Sequence, residues 1–147
     1  DGNPSVIEYN CRFGDPETQP IMHRLKGDLG ALCLAALDGR LDEMSADWDP
    51  RPAVGVVLAA EGYPGSYEKG YEIQGLNTEW PATTKVFHAG TQQTGDSVVT
   101  QGGRVLCVSA LGDSIADAIA AAYAGVDQIS WEGMVCRQDI GWRAIDR

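Results

Sequence analysis

No run of apolar residues in this sequence is long enough to cross a membrane. The longest, Ala31 to Leu37 and Val54 to Ala60, fall far short of the roughly 20 residues that a spanning helix needs. No basic segment leads into an apolar stretch, so no secretory signal is visible. Basic residues are scarce as well: 11 Lys and Arg stand against 21 Asp and Glu, a net charge of −10. Phosphate backbones reward clusters of Lys and Arg, so a nucleic-acid partner is not expected. Cysteine offers no framework. Cys11, Cys33, Cys107 and Cys136 are widely and irregularly spaced, without a CxxC, and only His23 and His88 are present to assist a thiolate. That pattern excludes zinc and disulfide scaffolds. Buried free thiols in a reducing, cytoplasmic setting are expected, without a membrane partner.

What is present is an ordinary globular composition, 44% hydrophobic and 22% charged over 147 residues, enough for a real core. Asp1-Gly2-Asn3-Pro4 has the residues of a turn tip, and Ser5 to Asn10 reads as the strand that follows. A turn feeding a strand implies an earlier strand. The chain is therefore expected to begin at a cut loop of a longer polypeptide. From Thr18, Ile21, Leu25, Leu29, Leu32 and Ala36 recur at helical spacing, with Pro20 in the first turn. Gly27-Asp28 divides the pattern into two helices, the second capped by Asp28 and ended by Gly39. A polar connection, Leu41 to Pro52, follows, with Trp48 expected to pin it to the body. The boundary expected there divides residues 1–50 from residues 51–147.

The second part reads as α+β with mostly antiparallel strands. Strands are expected at 53–60, 71–73, 85–91, 97–100 and 104–111, with turns at Gly62-Tyr63-Pro64-Gly65 and Gly95-Asp96. Asp113 or Ser114 can cap a helix with Ile115, Ala118, Ile119 and Ala122 on its apolar side, and Gly125 is expected to stop it. The tail, with Trp131, Cys136, Ile140 and Trp142, is expected to pack back on the sheet, and the four tryptophans to be packing anchors.

One stretch carries chemistry, Glu8-Tyr9-Asn10-Cys11-Arg12-Phe13-Gly14-Asp15-Pro16-Glu17-Thr18-Gln19. If Ser5 to Asn10 is a strand, Glu8 and Asn10 share a face about 7 Å apart. A carboxylate and an amide oxygen are hard ligands, suited to a Mg²⁺ that keeps water and phosphate oxygens in its other positions. Arg12 continues onto that face with a fork that can clamp phosphate or carboxylate. Gly14 permits close approach of a ligand to the backbone, and the helix start behind it favours anions. Asp15 and Glu17 can bind an ammonium group or take a proton from an attacking amine. The same residues also suit a solvated strand face and an ordinary helix start, where acids are favoured by the dipole.

Glu8-x-Asn10-x-Arg12 resembles the metal- and phosphate-binding strand of the ATP-grasp ligases. Arg12 to Gln19 resembles the signature of the phosphoribosylamine–glycine ligase family within them. The likeness continues through 55–60, 62–65, 86–91, 102–106 and 139–143, and so covers essentially the whole chain. It implies the end of an ATP-grasp domain followed by a small, mostly antiparallel β domain with flanking helices. It implies ATP with Mg²⁺ or Mn²⁺ as cofactors, Glu8 and Asn10 as metal ligands, and Arg12 steadying phosphate or a glycyl phosphate intermediate. Asp15 and Glu17 would lie near glycine or 5-phosphoribosylamine, the substrates, and the remainder of the same polypeptide would complete the site. His88, Gly90, Thr91 and Arg104 are candidates to face the sugar phosphate, although His88 can equally be a satisfied strand histidine and Gly102-Gly103 a plain turn. Two alternatives stand beside this expectation: an isolated non-catalytic domain, or a related carboxylate–amine ligase.

Overall fold

A computed structural model describes residues 2 and 5–145. Apart from Gly2, the expected turn at Asp1 to Pro4 lies outside the described residues. The fold is α+β, as the pattern of elements leads one to expect. Its centre is a four-stranded antiparallel sheet. Strands β1 (Ala53–Ala60), β2 (Thr84–His88), β5 (Arg104–Leu111) and β6 (Met134–Cys136) lie in the order β2-β5-β1-β6. A separate two-stranded ribbon joins β3 (Thr91–Thr94) to β4 (Ser97–Thr100).

The two inner strands explain the sheet's burial. β1 alternates between buried and half-buried residues, whereas β5 is buried along nearly its whole length because both of its faces are covered. Pairing runs Val54↔Ala110, Val56↔Val108 and Leu58↔Leu106 on one face, and Gly55↔Ser109 and Val57↔Cys107 on the other. A bulge between Leu58 and Ala59 shifts the register before Ala59↔Arg104.

The first face packs on helix α3 (Ile115–Val126), whose Ala118 and Ala122 are fully buried in the same cluster as Val56, Leu58 and Val108. Ser114 and Asp117 form a reciprocal capping box that satisfies the first donors of α3. The opposite face receives helix α1 (Thr18–Arg24). Pro20 sits so close to Gly55 that a Cβ on that glycine would lie 3.3 Å from the Pro20 ring. Helix α2 (Leu29–Leu37) follows, capped by Asp28, whose carboxylate accepts the Ala31 N–H, and closed by Gly39 at φ 70°. The 41–52 connection is tied down by Asp49. This buried carboxylate takes two side-chain bonds and one backbone bond from Arg51 and an ion pair from Lys26 at 3.3 Å. No helix among the described residues is long and apolar enough to cross a membrane.

Several local expectations fail, each for a physical reason. Ser5 to Asn10 forms no ladder, because no described strand lies beside it. Residues 71–73 make a single bridge, Glu72↔Val99, and not a strand. β2 stops at His88 and the hairpin around Gly95-Asp96 is formed by Thr91–Thr94, because Gly90 is drawn out of β2 into contact with Gly102. Gly125 does not stop α3. It is buried within the helix, where a Cβ would lie 2.8 Å from Val108 Cγ1 and 3.2 Å from Thr84 Cγ2. Trp131 is buried and Trp80 packs against the core, but Trp142 is about half exposed. Trp48 is half exposed as well, yet its backbone bridges Leu25 and so holds the 41–52 connection to the end of α1. Two of the four thiols, Cys11 and Cys33, are exposed.

Candidate functional site

The segment from Glu8 to Phe13 is exposed and without regular secondary structure, bending at Arg12, and Glu8, Asn10 and Arg12 have no ladder to set a common face. Among the described residues, no group of three or more His, Cys, Asp or Glu converges well enough to cage a metal ion. Two oxygen donors two residues apart nevertheless suit a hard cation that fills most of its shell with water and phosphate oxygens. The donor set fits Mg²⁺ or Mn²⁺ in that limited sense.

Burial begins at Gly14, the one buried residue of the stretch. Its carbonyl accepts the Thr18 N–H at 3.0 Å and also the Thr18 hydroxyl, so the loop is clamped to the first turn of α1. Glu17 curls over it, and a Cβ at position 14 would collide with the Glu17 carboxylate. Glu17 also edges an open groove of about 810 Å³ shared with Pro20, Ile21, Arg24, Trp48 and Pro52.

Asp15 joins the loop before α1 to the start of β5. Its Oδ2 pairs with Arg104 Nη2 at 3.1 Å, and its Oδ1 accepts from Gln19 Nε2 at 3.0 Å. Asp15 and Arg104 side chains remain 45% and 40% exposed, so an incoming anion or cation can reach either. The Arg104 guanidinium lies 5.9 Å from the centre of the Tyr63 ring. Tyr63 in turn covers Gly103 so tightly that a Cβ there would fall 2.1 Å from its Cδ2.

The glycines at this corner are required by backbone approach. A Cβ on Gly90 would be 2.5 Å from Gly102 Cα, and Gly90 bonds to Gln101, Gly102 and Arg104 backbone groups at 2.7–3.0 Å. The corner therefore presents Arg104 at a fixed place. His88 pairs with Leu106 in the ladder and its Nδ1 lies 3.0 Å from Thr91 Oγ1. The structure thus brings Asp15, Gly90 and Arg104 together, leaves His88 with Thr91, and keeps Glu8, Asn10 and Arg12 on a free segment.

Three contributors escaped the sequence reading: Tyr63, Gln19 and the pair His23–Ser109. His23 Nδ1 lies 3.0 Å from Ser109 Oγ, with Ser109 fully buried, and the ring stands edge-on to Phe87 at 6.4 Å. Burial first, and then the nearby Lys85 charge, lower the His23 pKa, so the neutral ring is the favoured form. A lone hydroxyl inside the apolar run 104–111 was the available signal, since buried hydroxyls seek partners. Cys107, on the same face, is pushed up to about 12 by burial and then by the Asp15 charge. It is no nucleophile at neutral pH.

The corner and the signature loop lie where known proteins match this chain. A family model described as phosphoribosylglycinamide synthetase, C domain, matches residues 53–143. A protein named phosphoribosylamine–glycine ligase from Vibrio cholerae is 62% identical over 146 residues, covering 99% of this chain and 34% of its own length. Its namesake from Escherichia coli K12 is 60% identical over 147 residues, with the same coverage. A crystal structure of phosphoribosylamine–glycine ligase from Thermotoga maritima is 36% identical, with a TM-score of 0.73, covering 95% of this chain and 34% of that one. The chain thus spans about a third of the length of the curated relatives it matches.

Proposed function

The chain belongs to the phosphoribosylglycinamide synthetase C-domain family, and on that premise we propose that it is the C-terminal part of an ATP-dependent ligase joining glycine to 5-phosphoribosylamine. The observation that carries this reading is the Asp15–Arg104 ion pair. It ties the loop whose sequence resembles the ligase signature to the β5 corner of the matched domain. In the division proposed here, residues 1–50 end an ATP-grasp domain and residues 51–147 form the small closing domain.

In this mechanism a glycine carboxylate oxygen attacks the γ-phosphorus of ATP, giving glycyl phosphate and ADP. The phosphoribosylamine nitrogen then attacks the glycyl carbonyl carbon. The C–N bond forms, the C–O bond to phosphate breaks, and phosphate leaves. Glu8 and Asn10 would hold Mg²⁺ or Mn²⁺, which would supply charge neutralisation at the ATP phosphates. Arg12 steadies the transferring phosphate through its fork. Asp15 and Glu17 sit toward the amine, where a carboxylate binds an ammonium group or takes its proton. Arg104, with the close-packed backbone at Gly90 and Thr91 and with His88 on the rim, takes the sugar phosphate of the acceptor.

The remainder of the polypeptide supplies the adenine pocket. It also covers the exposed apolar side chains of residues 6–48, among them Ile7 at 97% and Leu37 at 84% exposure. A patch of that kind is the mark of an interface. The complete enzyme is cytoplasmic in this reading.

The test is a chimera in which this chain replaces the matching third of the Escherichia coli relative. The expected result is glycine-dependent ADP release in the presence of phosphoribosylamine, nearly abolished by Glu8→Ala without loss of folding. The 147-residue chain alone is expected to release none. A folded chimera without ligation, or normal turnover in the Glu8→Ala form, would overturn the reading or its metal assignment respectively.

A further inference from the structure

Asp15 is held at both oxygens, and Gln19, the residue on the side away from Arg104, has no role in the reading above. Gln19 lies four residues after Asp15, so once α1 forms its side chain reaches back over the turn that carries the carboxylate. Gln19 Nε2 donates to Asp15 Oδ1 at 3.0 Å while Arg104 Nη2 holds Oδ2 at 3.1 Å. An ionised carboxylate only accepts, which fixes the amide with its NH₂ toward Asp15. Its Oε1 then points into the protein, where no described donor reaches it. The amide keeps this orientation at the expense of its own acceptor.

We propose that Gln19 is a positioning residue for anion recognition: through Asp15 it sets the direction in which Arg104 offers its guanidinium. The proposal rests on the assignment of Arg104 to the substrate phosphate. With one donor engaged by Asp15 and the guanidinium carbon 5.9 Å from the centre of the Tyr63 ring, the remaining donors of a planar five-donor group project from a restricted position. Without Gln19 the Asp15 carboxylate is held at one oxygen only, by Arg104 itself, and Arg104 loses the independently fixed partner that aims it. Affinity then falls through lost preorganisation, with every ligand contact still available.

The experiment uses the active chimera and ribose 5-phosphate as the binding probe, with steady-state kinetics in parallel. Arg104→Ala is expected to weaken the probe by about 10- to 100-fold, as loss of a charged hydrogen-bond donor does. Gln19→Ala is expected to weaken it by about 3- to 10-fold, the effect of freeing one long side chain. KM for phosphoribosylamine should rise with it, while kcat and the KM values for glycine and ATP stay put. Gln19→Glu, the same size without the donor, should behave no better than Gln19→Ala. In an Asp15→Ala background, Gln19→Ala should add nothing further, because the two act in series. Wild-type binding in Gln19→Ala beside a weakened Arg104→Ala overturns the inference and leaves the phosphate assignment standing. An Arg104→Ala variant that binds normally removes that assignment, and the inference with it. A Gln19→Ala enzyme that melts early and weakens all three substrates alike would reduce Gln19 to a structural residue and sink the proposal.

Discussion

Helices α2 and α3 are both strongly apolar, yet they sit in opposite conditions. α3 buries Ala118, Ala122, Gly125 and Val126 against the sheet, while α2 buries only Ala35 and leaves Leu34 and Leu37 at 66% and 84% exposure. Of the large hydrophobic residues exposed in this structure, those from Val6 to Trp48 outnumber those beyond residue 51 by more than two to one. The difference teaches that hydrophobicity builds a core only where an opposing surface exists. A helix apolar around most of its circumference is the kind that stands inside a larger protein, and among the described residues α2 finds full cover for Ala35 alone. Region 53–145 closes its own core; region 5–50 is anchored to it through α1 and Asp49 but does not complete a core of its own.

The sharpest way to break this contrast is a pair of truncations. In the 147-residue chain, Leu58→Ala should lower unfolding free energy by about 2–5 kcal/mol, the range for a fully buried leucine. Leu37→Ala should change it by no more than about 0.5 kcal/mol, as exposed positions do. Urea unfolding of both variants decides it, and equal losses would erase the distinction between the regions. In the active chimera the Leu37→Ala cost should grow if the proposed remainder covers α2.

A smaller effect of opposite sign separates two helical glycines. Gly125→Ala forces a Cβ to within 2.8 Å of Val108 Cγ1, and overpacking of that kind costs about 1–3 kcal/mol. At Gly30 in α2 the nearest atom is the end of the Asp28 side chain, 3.1 Å away. There Gly30→Ala should gain up to about 1 kcal/mol from helix propensity. Thermal melts should move down for the first and up for the second.

The smallest effect lies on the seam between the regions. Because burial lowers the His23 pKa from 6.5, the unfolded chain binds its proton first as the solution is acidified. The contribution of His23 to stability is therefore complete above about pH 6.5 and is lost as pH falls toward the lower, folded-state pKa. His23→Asn should flatten the stability profile in that window and leave it unchanged at pH 8. An unaltered slope would show that the His23–Ser109 contact does not report the docking of α1.

Much of this was legible in the order of residues. The apolar runs 53–60 and 104–111, the Asp28 and Ser114 caps and the Gly39 stop are local signals, each set within a few residues, and the structure has them all. The candidate site was readable as a set of chemistries but not as a place. Asp15 and Arg104 are 89 positions apart, and only the packing of α1 on the sheet brings them to 3.1 Å. Gln19 looked like the end of a motif because its partner, Asp15, acquires its direction from Arg104. The strand expected at 5–10 failed for a similar reason. An alternating pattern specifies a face, while the ladder that turns it into a strand comes from a neighbour.

The sequence alone therefore determined the elements that depend on short-range physics: where α2 and α3 are capped, where Gly39 ends α2 and where the two long strands run. It also carried, through its likeness to the ligases, the chemistry that residues 8–19 are suited to. Only the tertiary structure decided that Gly125 is a packing position, that Gly90 and Gly102 cross at one corner, and that Asp15 is shared between Gln19 and Arg104. The reason is one of range. Caps and alternation are set by bonds spanning a few residues, whereas a Cβ's room and a carboxylate's partners are set by whatever the fold carries there from elsewhere in the chain.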